Sequence, residues 1–309
     1  MPYAFFDGKF VPLAEAKVSI MTHSFNYGTG CFEGIRAYWN EQEEQLYAFH
    51  LRAHYERLQR SCRILHMTPP MGVDEMCDLT LELLRRNECR TDTYIRPIVY
   101  KSSEIVGVRL HGIADGFCIF TTPFGKYLDP EKGSRCCVSS WRRIDDNCIP
   151  ARAKVIGGYI NSALAKTEAF ENGCDEAILL THDGHVSEGS GENIFLVEGD
   201  QLITPPSTDN ILIGITRNSV IRLAREEFGL ETIERSIDRS ELYAADECFM
   251  TGTAAEVTPV IEIDHRPIGS GGVGTITAKL QRAYMNIALG VDKRYAEWRT
   301  PVVRVVVEG

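Results

Sequence analysis

The sequence predicts an α+β fold, a mixed and irregular α/β arrangement. Three observations carry this. Helical and strand-like segments interleave along 309 residues without the strict strand–helix–strand alternation of a parallel sheet. The composition is that of an ordinary globular chain, 44% hydrophobic and 25% charged. No internal repeat or low-complexity tract appears, and 26 Gly with 13 Pro are too few for a collagenous or disordered chain.

Each element has a local reason. Residues 3–12 read as two strands around a turn at Asp7-Gly8-Lys9. Residues 26–38 are punctuated by glycine and read as a turn into a strand with close backbone approach. Tyr55, Leu58, Cys62 and Leu65 share one face of a helix over 52–65. Met76, Leu83 and Leu84 do the same over 74–87, with Asp74 as its expected cap. Residues 93–100 form a strand whose alternation puts Tyr94, Arg96, Ile98 and Tyr100 on one face. Pro97 marks that strand as an edge or a kink. Residues 116–122 form another strand, and 122–134 are rich in turn residues.

Beyond that stretch, 135–142 is a strand and 159–172 a helix stopped by Gly173. Strands over 175–181 and 193–197 flank an Asp183-Gly184 turn. A helix over 216–228 ends at Gly229, a strand over 246–251 runs into Gly252, and a last helix covers 275–289. Length suggests about two domains. The turn-rich stretch sets them at 1–122 and 132–309, joined by a linker at 123–131.

Charge and cysteines narrow the partners. Lys plus Arg number 33 against 43 Asp plus Glu, a net charge of −10 with no basic run. Nucleic acid is disfavoured as a partner. No window approaches the apolar length of a membrane span, and the N-terminus lacks the basic and apolar regions of a signal peptide. Ten cysteines without a C-x-x-C pair read as reduced, mostly buried thiols of a cytoplasmic protein.

Familiar catalytic patterns are missing. There is no zinc spacing, phosphate-binding P-loop, dinucleotide-binding glycine motif or G-x-S-x-G elbow. His182 and His185 flank a turn without partner ligands and read as solvated. Lys154 lies among small and apolar residues between a strand and a helix. Burial there disfavours an ammonium and favours the free amine of a Schiff-base lysine, while spacing alone reads it as a surface lysine. Gly214-Ile-Thr-Arg217 and Gly252-Thr-Ala-Ala255 offer backbone amides to an anion, or ordinary capping. Arg57, taken alone, reads as a solvated arginine on the polar side of its helix.

Five motifs occur in order: Tyr27-Gly-Thr with Phe32-Glu-Gly-Ile-Arg36, Tyr94-Ile-Arg-Pro97, Ser187-Glu-Gly-Ser-Gly-Glu-Asn193, Gly214-Ile-Thr-Arg217 and Gly252-Thr-Ala-Ala-Glu256. With them the chain resembles the class IV (fold type IV) pyridoxal-phosphate aminotransferases, most of all the branched-chain amino-acid aminotransferases. The resemblance covers nearly the whole chain. It implies two α/β domains with pyridoxal 5′-phosphate in the cleft between them, and no metal. It implies transamination of leucine, isoleucine and valine with 2-oxoglutarate by a ping-pong reaction. A D-amino-acid or (R)-amine transaminase of the same fold is the alternative. It also implies a homodimer or a larger homo-oligomer, up to a hexamer.

Residue by residue, the resemblance implies that Lys154 holds the cofactor and moves the α-proton. Glu188 would face the pyridine nitrogen, Tyr159 the phenolic oxygen, and Arg57 the phosphate. Leu212, Gly214, Ile215, Thr216 and Thr253 would complete the cofactor site. Tyr94, Thr253, Ala254 and Ala255 would take the substrate α-carboxylate, and Arg96 the side-chain carboxylate of glutamate. Tyr27, Phe32, Arg36, Val108 and Phe124 would complete the substrate pocket, with Tyr159 at its wall. Three positions depart from the family pattern. Gly158 stands for a common Asn, Phe124 for a frequent Trp, and Ile156 for a small residue.

Overall fold

The computed structural model describes residues 1–125, 128 and 131–302. The chain divides into two compact units. The first holds 1–125, 153–157 and the chain from 286 onward; the second holds 126–152 and 158–285. Where the sequence reading draws two continuous segments, these units are discontinuous, because two later pieces return to the first sheet. Of the linker expected at 123–131, Lys126, Tyr127, Asp129 and Pro130 lie outside the described residues.

In the first unit, β1 (Tyr3–Phe6) and β2 (Lys9–Pro12) form the expected hairpin. A short α1 (His23–Tyr27) leads to β3 (Gly30–Phe32), β4 (Ile35–Asn40) and β5 (Gln45–Phe49). The helices α2 (Leu51–Ile64) and α3 (Val73–Arg86) precede β6 (Thr93–Lys101) and β7 (Asp115–Pro123). The sheet runs from the strand Arg299–Pro301 through β5, β4, β6, β7 and β1 to β2, with β3 also on β6.

Pro97 does not mark an edge. β3 pairs with Ile98, Val99 and Tyr100, while β4 pairs with Thr93, Tyr94 and Ile95. Pro97 faces the gap between those two strands, where its missing N–H costs no ladder bond. Its carbonyl accepts from the Glu33 amide there at 3.0 Å. The two helices bury the faces their spacing predicts, Tyr55, Leu58 and Cys62 on α2 and Met76, Leu83 and Leu84 on α3, and Leu51 and Thr80 are buried with them. Asp74 is not the cap of α3. Gly72 holds that position, and Asp74 sits in the first turn paired with Arg52, where a carboxylate suits the helix dipole.

The second unit contains β8 (Ser134–Arg142), α4 (Tyr159–Glu171), β9 (Glu176–Leu180), β10 (Val186–Gly189), β11 (Asn193–Glu198) and β12 (Gln201–Thr204). It continues with α5 (Ile215–Phe228), β13 (Glu231–Glu234), β14 (Glu247–Gly252), β15 (Glu256–Ile263), β16 (Arg266–Pro267) and α6 (Thr275–Ala288). Its sheet runs β10-β9-β8-β15-β14-β11-β12-β13, with β16 on β15. β8 is parallel to both its neighbours, β9 and β15, in a sheet otherwise largely antiparallel. Ile178, Ile194, Leu196, Met250 and Val260 fill its core. The Asp183-Gly184 turn joins β9 to β10, not to β11. Sequence reading passes over β10 because Ser187-Glu-Gly has little strand propensity; its pairing to β9 and its burial hold it. At the start of α6, the Glu247 carboxylate accepts the amides of Ile276 at 2.9 Å and Thr277 at 2.8 Å.

Two smaller expectations are corrected. Cys137 and Cys174 form a disulfide, since β8 and the turn after α4 bring their Cα atoms to 6.0 Å; the other eight cysteines are free. His185 is not merely solvated, because its Nδ1 faces Asp238 at 3.2 Å. Among the described residues no cluster suits a metal ion, and no helix is long and apolar enough to cross a membrane.

Candidate active site

In the first unit the residues converge on Phe32. Residues 153–157 lie along β3: the Phe32 amide donates to the Lys154 carbonyl at 3.1 Å, and the Lys154 amide donates to Ser61 Oγ at 3.1 Å. The Gly157 amide donates to the Gly28 carbonyl at 3.0 Å. This approach needs Gly28, whose φ is +65°, and a Cβ there would stand 2.8 Å from Gly157 Cα. Ile156 covers Gly30 so closely that a Cβ there would meet its Cδ1 at 2.6 Å. The half-buried Lys154 places Nζ 5.1 Å from the Phe32 ring centroid. The Arg96 guanidinium stands 4.3 Å from the same centroid.

Arg96 and Tyr94 share a face of β6, as alternation predicts. Arg96 Nη2 donates to the Tyr94 hydroxyl at 2.7 Å, and its buried Nε has no hydrogen-bond partner. Tyr94 packs on Phe124 at 5.1 Å between centroids. Behind Phe124 lies Arg36, 4% exposed, between the Tyr38 and Phe124 rings. Its Nη2 donates to the Phe124 carbonyl at 3.3 Å and faces Asp92 at 3.4 Å. Arg36 therefore supports the Phe124 segment. Tyr27 belongs to a different contact, its hydroxyl accepting from the Gly107 amide at 3.1 Å. Val108, expected as pocket lining, is 79% exposed, because this loop is held by its backbone and turns the side chain out.

Arg57 is not a solvated arginine. It is 6% exposed and forks onto the fully buried Glu33, Nε to Oε1 at 2.7 Å and Nη2 to Oε2 at 2.6 Å. His54, one turn earlier on α2, donates from Nδ1 to Glu33 Oε2 at 2.8 Å. Burial pushes the Glu33 carboxyl up, but the Arg57 charge and the hydrogen bonds outweigh it and hold it at about 2. Burial pushes the His54 pKa down, against the pull of Glu33. Glu33 and His54 escape the sequence reading. The three-residue spacing of His54 and Arg57 on one helix is the signal that could find them.

In the second unit Glu188 is the centre. Its Oε1 pairs with Arg143 Nη2 at 2.8 Å, and its Oε2 accepts from the Leu212 amide at 3.0 Å and Asn193 Nδ2 at 3.2 Å. Asn193 Nδ2 also donates to the Leu212 carbonyl at 2.9 Å. Gly214 leaves room beside it, since a Cβ would fall 2.1 Å from Asn193 Oδ1 and displace that side chain. Gly214 is also the N-cap of α5 and brings no side-chain acceptor to the amides of Ile215 and the buried Thr216. Such a helix start suits an anion. Gly252 closes β14, and residues 253–255 turn back into β15. Just before that turn the buried Thr251 hydroxyl has no hydrogen-bond partner. Tyr159 opens α4 and is half-buried. An uncapped helix start, a glycine turn and a fixed buried carboxylate fit an anionic group attached to a ring with a basic nitrogen.

Known proteins of similar sequence and shape bear on this arrangement. The family model of the class IV amino-transferases matches residues 30–263. The probable branched-chain-amino-acid aminotransferase of Aquifex aeolicus (strain VF5) is 55% identical over 302 residues, 98% of this chain and 97% of that protein. The branched-chain aminotransferase of Thermoproteus uzoniensis, solved with norvaline, superposes with a TM-score of 0.94 at 46% identity, covering 98% of this chain and 99% of that one. The branched-chain amino acid aminotransferase of Thermobaculum terrenum, solved in its PLP-form, gives 0.93 at 39% identity over 98% of each chain.

Proposed function

We propose the roles below from one premise: the chain belongs to the class IV aminotransferases. It is a pyridoxal-phosphate enzyme that transaminates branched-chain L-amino acids with 2-oxoglutarate, giving branched 2-oxo acids and L-glutamate in a ping-pong reaction. The observation that carries this reading is the Phe32 ring, an apolar surface with an amine, Lys154, and a carboxylate-binding cation, Arg96, both against it. One apolar pocket with a guanidinium at its wall accepts a branched alkyl group and a glutamate carboxylate in turn.

The cofactor supplies a carbonyl that takes the amino group and a conjugated ring that accepts the electron pair released at the α-carbon. Lys154 would hold the cofactor, and its Nζ would move the substrate α-proton. Arg57, fixed by Glu33, binds the phosphate, with the amides of Ile215 and Thr216 and the Thr253 region. Leu212 and Gly214 frame that cradle. Glu188 holds a proton on the pyridine nitrogen, and Tyr159 donates to the phenolic oxygen. Tyr94 and the amides over 253–255 take the substrate α-carboxylate. Arg96 takes the second carboxylate of glutamate. Phe32, Tyr27, Phe124 and Tyr159 form the apolar wall, and Arg36 acts through Phe124. Val108 joins that wall in a second copy of the chain. A homodimer is the proposed minimal assembly. The cytoplasm is the proposed compartment.

The test is a half-reaction. Holoenzyme is mixed separately with L-leucine, L-glutamate, D-alanine and an (R)-amine while cofactor absorbance is followed. Fast bleaching by both L-leucine and L-glutamate, abolished in Lys154→Ala, is expected. Bleaching by D-alanine or the amine but not by L-leucine would overturn the substrate assignment.

A further inference from the structure

Glu188 is gripped from behind by a residue that has no role in the assignments above. Arg143 follows β8, and its amide donates to the Leu180 carbonyl at 2.8 Å, which fixes its backbone beside β9. Its guanidinium reaches in two directions. Nη2 pairs with Glu188 Oε1 at 2.8 Å, and Nε donates to the Asn210 carbonyl at 3.1 Å. Asn210 lies two residues before Leu212, whose amide donates to the other oxygen of Glu188 at 3.0 Å. The contacts therefore close a ring from Arg143 through Glu188, Leu212 and Asn210 back to Arg143. The Asn210 side chain locks the ring to the loop after Arg143. It donates from Nδ2 to Asp145 Oδ1 at 2.9 Å and accepts the Asp146 amide on Oδ1 at 3.2 Å. The Arg143 and Glu188 side chains are 15% and 8% exposed.

We propose that Arg143 is a positioning residue for this site: it holds Glu188 in place as a carboxylate, so that the proton between Glu188 and the cofactor's ring nitrogen stays on the nitrogen. This rests on the role assigned to Glu188 above. A buried carboxyl without a cation is stabilised by taking a proton itself. As the neutral acid it would donate to the ring nitrogen instead of accepting from a protonated one. A guanidinium suits the task because its rigid fork reaches the carboxylate and the Asn210 carbonyl from one plane; an ammonium keeps the charge and loses the fork.

The experiment reads the proton directly. Parent, Arg143→Gln and Arg143→Lys are reconstituted with pyridoxal phosphate labelled at the ring nitrogen, and that nitrogen's NMR shift is recorded in the solid state at neutral pH. The parent is expected to show a protonated ring nitrogen. The Gln variant moves toward the unprotonated shift, and the Lys variant falls between. In the L-leucine half-reaction, the Gln variant is expected to lose about 10- to 100-fold in rate with little change in saturation. A folded Gln variant with the parent's shift overturns the proposal and leaves the functional reading standing. A parent that takes up no cofactor overturns both. Should the Gln variant not fold, the Lys variant decides: an intermediate shift supports the proposal and the parent's shift overturns it.

Discussion

Phe32 has a lysine and an arginine against its ring, and their surroundings separate what each can do. Lys154 Nζ belongs to a backbone fixed on β3, whereas Arg96 has a buried Nε without a partner and one hydroxyl, that of Tyr94, on its Nη2. Arg96 is thus the group with donor capacity for a second carboxylate. Arg96→Met should raise KM for 2-oxoglutarate by roughly 10- to 100-fold, the worth of a charge-assisted hydrogen bond. It should leave the L-leucine half-reaction within about threefold; an equal loss for both substrates would refute the assignment. Glu33 gives a second prediction. Its folded pKa of about 2 lies below its ordinary 4.5, so its contribution is complete above pH 4.5 and is lost as pH falls toward 2. That contribution is on the order of 3 kcal/mol. Glu33→Gln strands a buried guanidinium and should destabilise by about 3–5 kcal/mol at neutral pH, read by denaturant melts, with a flatter acid limb than the parent. Arg96 is legible in the sequence because strand alternation pairs it with Tyr94. Glu33 and Arg143 are not, because their partners come from another element and nothing local marks a carboxylate as buried.

At the scale of elements, the legible pieces are those whose own residues decide them. α2, α3, α5 and α6 show a buried face at helical spacing, and α4 and α5 stop before Gly173 and Gly229 as expected. The illegible pieces are decided by neighbours: β10 by its ladder to β9, and β6 as an interior strand by the gap that accommodates Pro97. The N-cap of α4 tests the local side of this division. Gly158 has φ −70° and ψ −19°, an ordinary helical conformation, and a Cβ there would meet only Ile149 Cγ2 at 3.6 Å. Gly158→Ala should therefore stabilise by about 0.4–1 kcal/mol, chiefly by restricting the unfolded chain. A destabilised variant in thermal melts would mean that the glycine serves contacts other than those of the folded backbone. The α6 cap tests the opposite case. Glu247→Ala removes the acceptor of two first-turn amides and should cost about 0.5–2 kcal/mol.

For the whole molecule, charge and apolar surface pull in opposite directions. A net charge of −10 makes two copies repel, so the proposed dimer would have to gain from apolar contact. The first unit presents such a surface. Ile20, Phe25, Val106 and Val108 are 78%, 68%, 83% and 79% exposed. The loop over 103–107, which carries Val106, is pinned to α1, which carries Phe25. The His23 amide donates to the Ser103 carbonyl at 2.9 Å, and His23 Nε2 donates to the Gly107 carbonyl at 2.7 Å. Exposed side chains on so well anchored a backbone suit burial against a second copy. Four side chains are only part of the roughly 1,200–2,000 Å² a stable interface buries, but charges at its centre should break it. Val106→Asp with Val108→Asp is expected to turn a dimer or larger species into a smaller one in sedimentation. In the parent, added salt should strengthen association by screening the like charges. A parent that sediments as a monomer, or a variant that keeps the parent's assembly, would remove this loop from the interface and with it the place proposed for Val108 in the pocket.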